Sequence, residues 1–196
     1  MTVKQKQCLL YYLGYYVGAI DGDWGSLSKI ATRSFQKDYG LTADGDFGAA
    51  TEKKILSVVA SGEKPKTTTT EPGWANIRYF TKAEWKCKCG GRYCNGYPAE
   101  IDMVTVKYAD EIRHRIGKPV NVNSGLRCSQ HNRNEGGVSD SQHQYGTAVD
   151  LGCPSGTTPA KMAAIAEEVM GGTGGIGIYN WGIHIDSRKT KSRWNG

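Results

Sequence analysis

Ser141-Gln142-His143-Gln144-Tyr145-Gly146-Thr147-Ala148-Val149-Asp150 is the stretch on which the fold of the C-terminal part turns. From Gly146 to Leu151 it reads as a strand, and side chains on a strand alternate between two faces. Val149 and Leu151 then enter a core, while Ala148 and Asp150 share the other face. Ala148 is small and leaves room beside the carboxylate. Gly146 permits a sharp turn that brings His143 back over the same face. Trp181-Gly182-Ile183-His184-Ile185-Asp186 repeats the pattern, with Ile183 and Ile185 facing inward and His184 and Asp186 facing the cleft.

Imidazole and carboxylate donors on one face suggest a divalent metal, and borderline N/O ligands favour zinc. Two histidines, one aspartate and a water make an open tetrahedral site of the catalytic type, so one zinc ion is expected. A third element, Ser124-Gly125-Leu126-Arg127-Cys128, follows the strand read at 120–124. Arg127 there suits a substrate carboxylate or a tetrahedral oxyanion, with a structural ion pair as the competing role. Asp186 is the acid nearest to His184. It reads either as a general base or as a partner orienting a metal-bound imidazole. His131 is a weaker candidate for proton handling, and His114 reads as structural.

Around these motifs lie two helices. One carries Ile101, Val104, Tyr108, Ile112 and Ile116 on a stripe and stops at Gly117 and Pro119; the other spans about 159–170. Further strand is expected over 176–185. The fold class is α+β: a small antiparallel sheet with helices beside it.

Upstream, Ser61-Gly62-Glu63-Lys64-Pro65-Lys66-Thr67-Thr68-Thr69-Thr70-Glu71-Pro72-Gly73 contains no apolar residue. It reads as a linker (61–73) between a first domain, 1–60, and a second, 74–196. The first domain contains an echo: Asp21-Gly22-Asp23-Trp24-Gly25-Ser26-Leu27-Ser28 returns as Asp44-Gly45-Asp46-Phe47-Gly48-Ala49-Ala50-Thr51. Each copy is a Gly-rich turn leading into a helical stretch. Apolar residues at helical spacing (Cys8, Leu9, Tyr12, Leu13; Ile30, Ala31, Phe35; Ile55, Leu56, Val59) complete a three-helix unit.

These ordered loops, with Phe35-Gln36-Lys37-Asp38-Tyr39-Gly40-Leu41 between them, closely resemble the peptidoglycan-binding domain found beside many wall hydrolases. The resemblance implies that residues 1–60 bind bacterial peptidoglycan. The C-terminal motifs resemble the zinc D-Ala-D-Ala carboxypeptidase and wall-peptide endopeptidase family, which shares its fold with the hedgehog signalling domain. Its Ser-x-His-x6-Asp signature fits at Ser141, His143, Gly146, Ala148 and Asp150, and its later His-x-Asp element at His184 and Asp186. Two positions depart. Leu126 occupies an aromatic slot, and Trp181 stands where relatives often carry an acid. By resemblance, His143, Asp150 and His184 bind zinc, Arg127 binds substrate or oxyanion, and Ser141 helps position the peptide.

Composition fits this reading. The chain has 196 residues, 38% hydrophobic and 22% charged, and a net charge of +6 that suits the polyanions of a wall. It has no basic run of the kind that marks nucleic-acid binding, and no apolar stretch long enough to insert in a membrane. The N-terminal run continues into the first module's pattern and is read as part of it, not as a secretion signal. A monomer acting at the wall is expected, in the manner of a phage or prophage endolysin released by a partner protein. The run Cys87-Lys88-Cys89-Gly90-Gly91-Arg92-Tyr93-Cys94 reads as a disulfide staple, a structural metal knot or free thiols. Its Cys-x-Cys spacing is not the usual Cys-x2-Cys of a zinc knuckle. The alternative function is a catalytically degenerate, zinc-containing peptidoglycan-binding protein.

Overall fold

The computed structural model describes residues 1–16, 18–62, 74 and 77–196. Of the linker expected at 61–73, all but Ser61 and Gly62 lie outside the described residues. The chain divides into two compact units, Met1–Ile77 and Arg78–Gly196.

The first unit holds three helices, α1 (Val3–Tyr12), α2 (Ser26–Asp38) and α3 (Ala49–Ala60). Thr2 starts α1 with a capping box: its hydroxyl accepts from the Gln5 N–H (3.3 Å), and the Gln5 side chain accepts from the Thr2 N–H (2.7 Å). Leu10, Leu13, Tyr15, Phe35, Phe47, Ile55 and Val58 form the core. This corrects two of the expected apolar stripes. On α1, Cys8 and Tyr12 are exposed, and the buried positions are Gln7 and Leu10; on α3, Leu56 is exposed and Val58 is buried.

Gln7 explains both its own burial and the echoed loops. Its Nε2 donates to Asp21 Oδ1 (2.8 Å) and to the Asp23 carbonyl (2.9 Å), while its Oε1 accepts from the Gly22 N–H (2.9 Å). Gln36 on α2 repeats this on the second loop, donating to Asp44 Oδ1 (2.8 Å) and the Asp46 carbonyl (2.9 Å) and accepting from Gly45 (2.9 Å). In each copy a buried amide from an earlier helix fastens a Gly-rich loop, and both its oxygen and its nitrogen find partners there.

The second unit contains α4 (Met103–Ile116), β1 (Val122–Ser124), α5 (Ser129–Asn134), β2 (Ala148–Gly152), α6 (Pro159–Met170), β3 (Gly175–Tyr179), β4 (Gly182–Asp186) and β5 (Ser192–Asn195). The sheet order is β1-β2-β4-β3-β5. The first four strands pair antiparallel, as expected; β5 runs parallel to β3 and makes the sheet mixed. Asp102 caps α4 by accepting from the Val104 N–H (3.0 Å), and Gly117 ends it in the left-handed conformation (φ 68°). Helices α4 and α6 pack on each other and on one side of the sheet. Val149, Leu151, Ile183 and Ile185 are fully buried on that side. The alternation of β2 and β4 therefore turns Asp150, His184 and Asp186 to the opposite face. Arg78 fixes the start of the unit to α4 through Asp110 (2.7 Å) and Glu111 (2.9 Å).

Candidate metal centre

Asp150 on β2 lies opposite His184 on β4 in the sheet register. His143 arrives from outside the sheet, on the 3₁₀ turn Gln142–Tyr145. Gly146 closes that turn with φ 74°, and a Cβ there would run into the Glu100 carbonyl oxygen. Only glycine fits both demands. Two hydrogen bonds then lock the turn to the β1–α5 loop: His143 Nδ1 donates to the Gly125 carbonyl (2.7 Å), and the Arg127 N–H donates to the His143 carbonyl (3.0 Å).

Three atoms converge. His143 Nε2 lies 3.2 Å from Asp150 Oδ1 and 3.2 Å from His184 Nδ1, and the latter two are 2.9 Å apart. The partner of the outer ring nitrogen fixes the tautomer of His143, whereas His184 lies between two carboxylates, Asp150 Oδ1 and Asp186 Oδ2. His143 Nδ1 carries its hydrogen toward a carbonyl, and His184 Nε2 carries its hydrogen toward Asp186 Oδ2 (3.1 Å). With those hydrogens on the outer nitrogens, both inner nitrogens turn a lone pair toward a carboxylate oxygen. Such a triangle is repulsive until a cation sits among its corners. Its edges come within a few tenths of an ångström of the ~3.3 Å between donors bound tetrahedrally at 2.0–2.1 Å. The donor set fits a divalent metal with mixed nitrogen and oxygen preference.

The electrostatics follow from burial and partners. His143 is 3% exposed, and burial lowers its pKa despite the Asp150 carboxylate. Burial also opposes the charged form of His184, but Asp150 and Asp186 on either side outweigh it and raise its pKa. Burial would push the carboxyls of Asp150 and Asp186 upward. The imidazoles, and Arg188 at Asp186, instead hold both well below the usual carboxylate range.

Around the triangle, Arg127 donates from Nη2 to Asp150 Oδ2 (2.6 Å) and from Nε to Ser124 Oγ (2.7 Å). Asp150 thus offers one oxygen to the triangle and the other to Arg127. Arg127 also borders a cleft with Tyr93, Pro98, Gln130 and Gln144. Ser141 opens the His143 turn and is 9% exposed. Asp186 is fully buried. It accepts from the Gly175 N–H (3.0 Å), from the Arg188 N–H (3.1 Å), from Arg188 Nε (2.7 Å) and Nη2 (2.6 Å), and from His184. His131 lies on α5, 4.0 Å from the carboxylate of Glu135 at the helix C-cap. His114 contacts the Tyr79 hydroxyl (2.9 Å). Trp181 is exposed at the β3–β4 turn and stacks on Tyr179 with ring centroids 4.9 Å apart.

Three participants were not legible as motifs. Arg188 completes the shell of Asp186. Trp194 on β5 packs on the His184 ring, centroids 5.2 Å apart. Gly177, between them in register, makes room: a Cβ on it would lie 2.5 Å from Trp194 Cε2. Glycines in a strand are a signal of close approach, but the partner is visible only once the strands are paired.

Residues 78–186 match the profile of peptidase M15. The chain belongs to the peptidase M15 family. Residues 2–55 match the profile of a peptidoglycan binding domain. Over 138 residues the chain is 37% identical to the zinc D-Ala-D-Ala carboxypeptidase of Streptomyces albus G, covering 70% of this chain and 51% of that protein. It is 39% identical over 71 residues to an N-acetylmuramoyl-L-alanine amidase of Mycobacterium tuberculosis, and 36% identical over 73 residues to a spore cortex-lytic enzyme of Bacillus cereus. These two matches cover 35% and 36% of this chain, and 18% and 28% of the relatives. The chain thus spans about half the length of the Streptomyces relative and less of the others. Among the described residues, no helix is long and apolar enough to cross a membrane.

Proposed function

We propose that this M15 member is a zinc peptidase that hydrolyses peptide bonds in bacterial peptidoglycan. In this reading residues 1–60 hold the wall, residues 61–73 link, and residues 74–196 carry the chemistry. The supporting observation is the triangle of lone-pair donors on His143, Asp150 and His184, each edge 2.9–3.2 Å. A zinc ion bound by these residues supplies Lewis acidity toward the scissile carbonyl and the attacking water.

The remaining residues set the stage. His143 Nδ1 is directed to the Gly125 carbonyl and His184 Nε2 to Asp186 Oδ2, which leaves His143 Nε2 and His184 Nδ1 to hold the ion. Asp186 acts as a positioning residue: its carboxylate takes the His184 Nε2 hydrogen, and complete burial removes it from the reach of solvent and substrate. Arg127 stands beside Asp150 at the cleft wall and offers its remaining N–H donors to a substrate carboxylate or a developing oxyanion. Ser141 positions the peptide at the mouth of the His143 turn. The finer reading is removal of a terminal D-Ala, supported by the name of the Streptomyces relative.

The test is mass spectrometry of products released from purified peptidoglycan, with and without chelator. Chelator-sensitive loss of terminal D-Ala is the expected result. Longer fragments would replace the carboxypeptidase reading with an endopeptidase. Wall binding without product, from zinc-loaded protein, would replace it with a binding protein.

A further inference from the structure

A second group of donors lies outside the site described. Residues 86–102, between the 3₁₀ turn Lys82–Trp85 and α4, form neither helix nor strand. An irregular segment of that length in a small domain needs something to hold it. Its apolar support is slight: Cys87, Leu126 and Cys128 are buried, with Cys89, Cys94, Ala99 and Ile101 packed against them.

What the segment does carry is sulfur. The Sγ atoms of Cys87, Cys89, Cys94 and Cys128 all lie within 4.8 Å of one another, and those of Cys89 and Cys94 are 3.5 Å apart. A tetrahedral tetrathiolate with Zn–S of 2.3 Å has sulfurs about 3.8 Å apart. Two backbone N–H groups already point at sulfur: that of Cys128 at Cys87 Sγ (3.4 Å) and that of Gly96 at Cys94 Sγ (3.4 Å). Such donors stabilise thiolates in metal knots. Four thiolates around a divalent ion leave a net charge of −2. The loop is composed to meet it: between Glu84 and Glu100 it contains Lys86, Lys88 and Arg92 and no acidic residue. A purely sulfur donor set in tetrahedral reach selects zinc over harder ions.

We propose that Cys87, Cys89, Cys94 and Cys128 hold a second, structural zinc ion. The sequence spacing leaves staple, knot and free thiols open; the convergence of all four sulfurs on one point favours the knot, because paired staples need only two-by-two proximity. The ion ties the irregular segment to the β1–α5 loop. Cys128 follows Arg127 directly, and the Leu126 N–H donates to the Trp85 carbonyl (2.8 Å), so the knot braces the loop that presents Arg127.

The test counts metal and thiols on the full chain, purified without reductant. The intact protein is expected to hold zinc at both donor groups, two per chain; Cys94→Ser and His143→Ala each drop to one. In case Cys94→Ser fails to fold, native thiol labelling of the unsubstituted chain gives an independent reading. Only Cys8 and Cys153 are expected to react until a chelator removes zinc, whereupon four more thiols appear. A single zinc per chain that Cys94→Ser retains and His143→Ala loses, or an intact mass showing these cysteines oxidised in pairs, overturns the proposal. Neither readout depends on peptidase activity, so failure here leaves the catalytic reading standing, and the reverse.

Discussion

Replacing Asp186 with asparagine separates orientation from proton transfer at this centre. Asp186 Oδ1 accepts from the Gly175 and Arg188 N–H groups, and Oδ2 accepts from His184 Nε2 at 3.1 Å and Arg188 Nη2 at 2.6 Å. An asparagine that keeps its carbonyl toward the two backbone donors turns its NH₂ toward His184. A donor then faces a donor. The imidazole escapes by moving its hydrogen to Nδ1, the atom 2.9 Å from Asp150 Oδ1 and 3.2 Å from His143 Nε2. That places a hydrogen where the proposed ion would sit. Loss of such an orienting partner costs roughly 10- to 100-fold in metal affinity, about 1.4–2.7 kcal/mol. The assay is zinc titration against a competing chelator, followed by turnover at rising zinc. We expect weakened zinc binding and turnover that recovers to within several-fold at saturation. Unchanged zinc affinity with turnover still reduced roughly 10²- to 10⁴-fold at saturating zinc would make Asp186 the general base and refute the orientation argument.

Zinc affinity should fall on acidification. The raised pKa of His184 means that protons compete for it from above the ordinary imidazole value of 6.5, and chelator competition across pH 8 to 6 that shows a flat affinity would contradict this. Arg127→Lys cannot span both Ser124 Oγ and Asp150 Oδ2 with one ammonium, so kcat/KM on wall peptides should drop roughly 10²-fold with zinc content retained; an unaltered rate would leave Arg127 a purely structural ion pair. Gln36→Ala removes the donors and acceptor that fasten the second loop and leaves buried polar groups unmet, a loss of about 2–4 kcal/mol. Calorimetry should show it as a lower transition of the N-terminal unit alone, with loss of wall binding; an unshifted transition would mean the loop holds itself.

The site was legible where chemistry and strand alternation coincide. His184 and Asp186 alternate with buried Ile183 and Ile185, and Ala148 and Asp150 alternate with Val149 and Leu151, so period two gave the face on which the candidate donors lie. α4 and α6 were legible from apolar spacing and their glycine stops. The miss on α1 has a physical cause. Hydrophobic periodicity looks for apolar residues on the inner face, whereas Gln7 is buried because a loop 14 residues on satisfies its amide. β5 was invisible because Ser192-Arg193-Trp194-Asn195 is short and largely polar; its strand character comes from pairing with β3. Trp194 and Arg188 reach the centre only through that pairing and the turn before it, which no local pattern encodes.

The register row Asp150–His184–Gly177–Trp194 has a practical consequence. In the proposed site an ion held by His184 would fix the charge and motion of its ring, and an indole lies against that ring. Among the five tryptophans of the chain, Trp194 therefore carries an intrinsic optical report on occupancy of the centre. Its emission should change as the ion enters, and the change should vanish in Trp194→Phe. The protein can thus be followed through loading and stripping without dye, label or substrate.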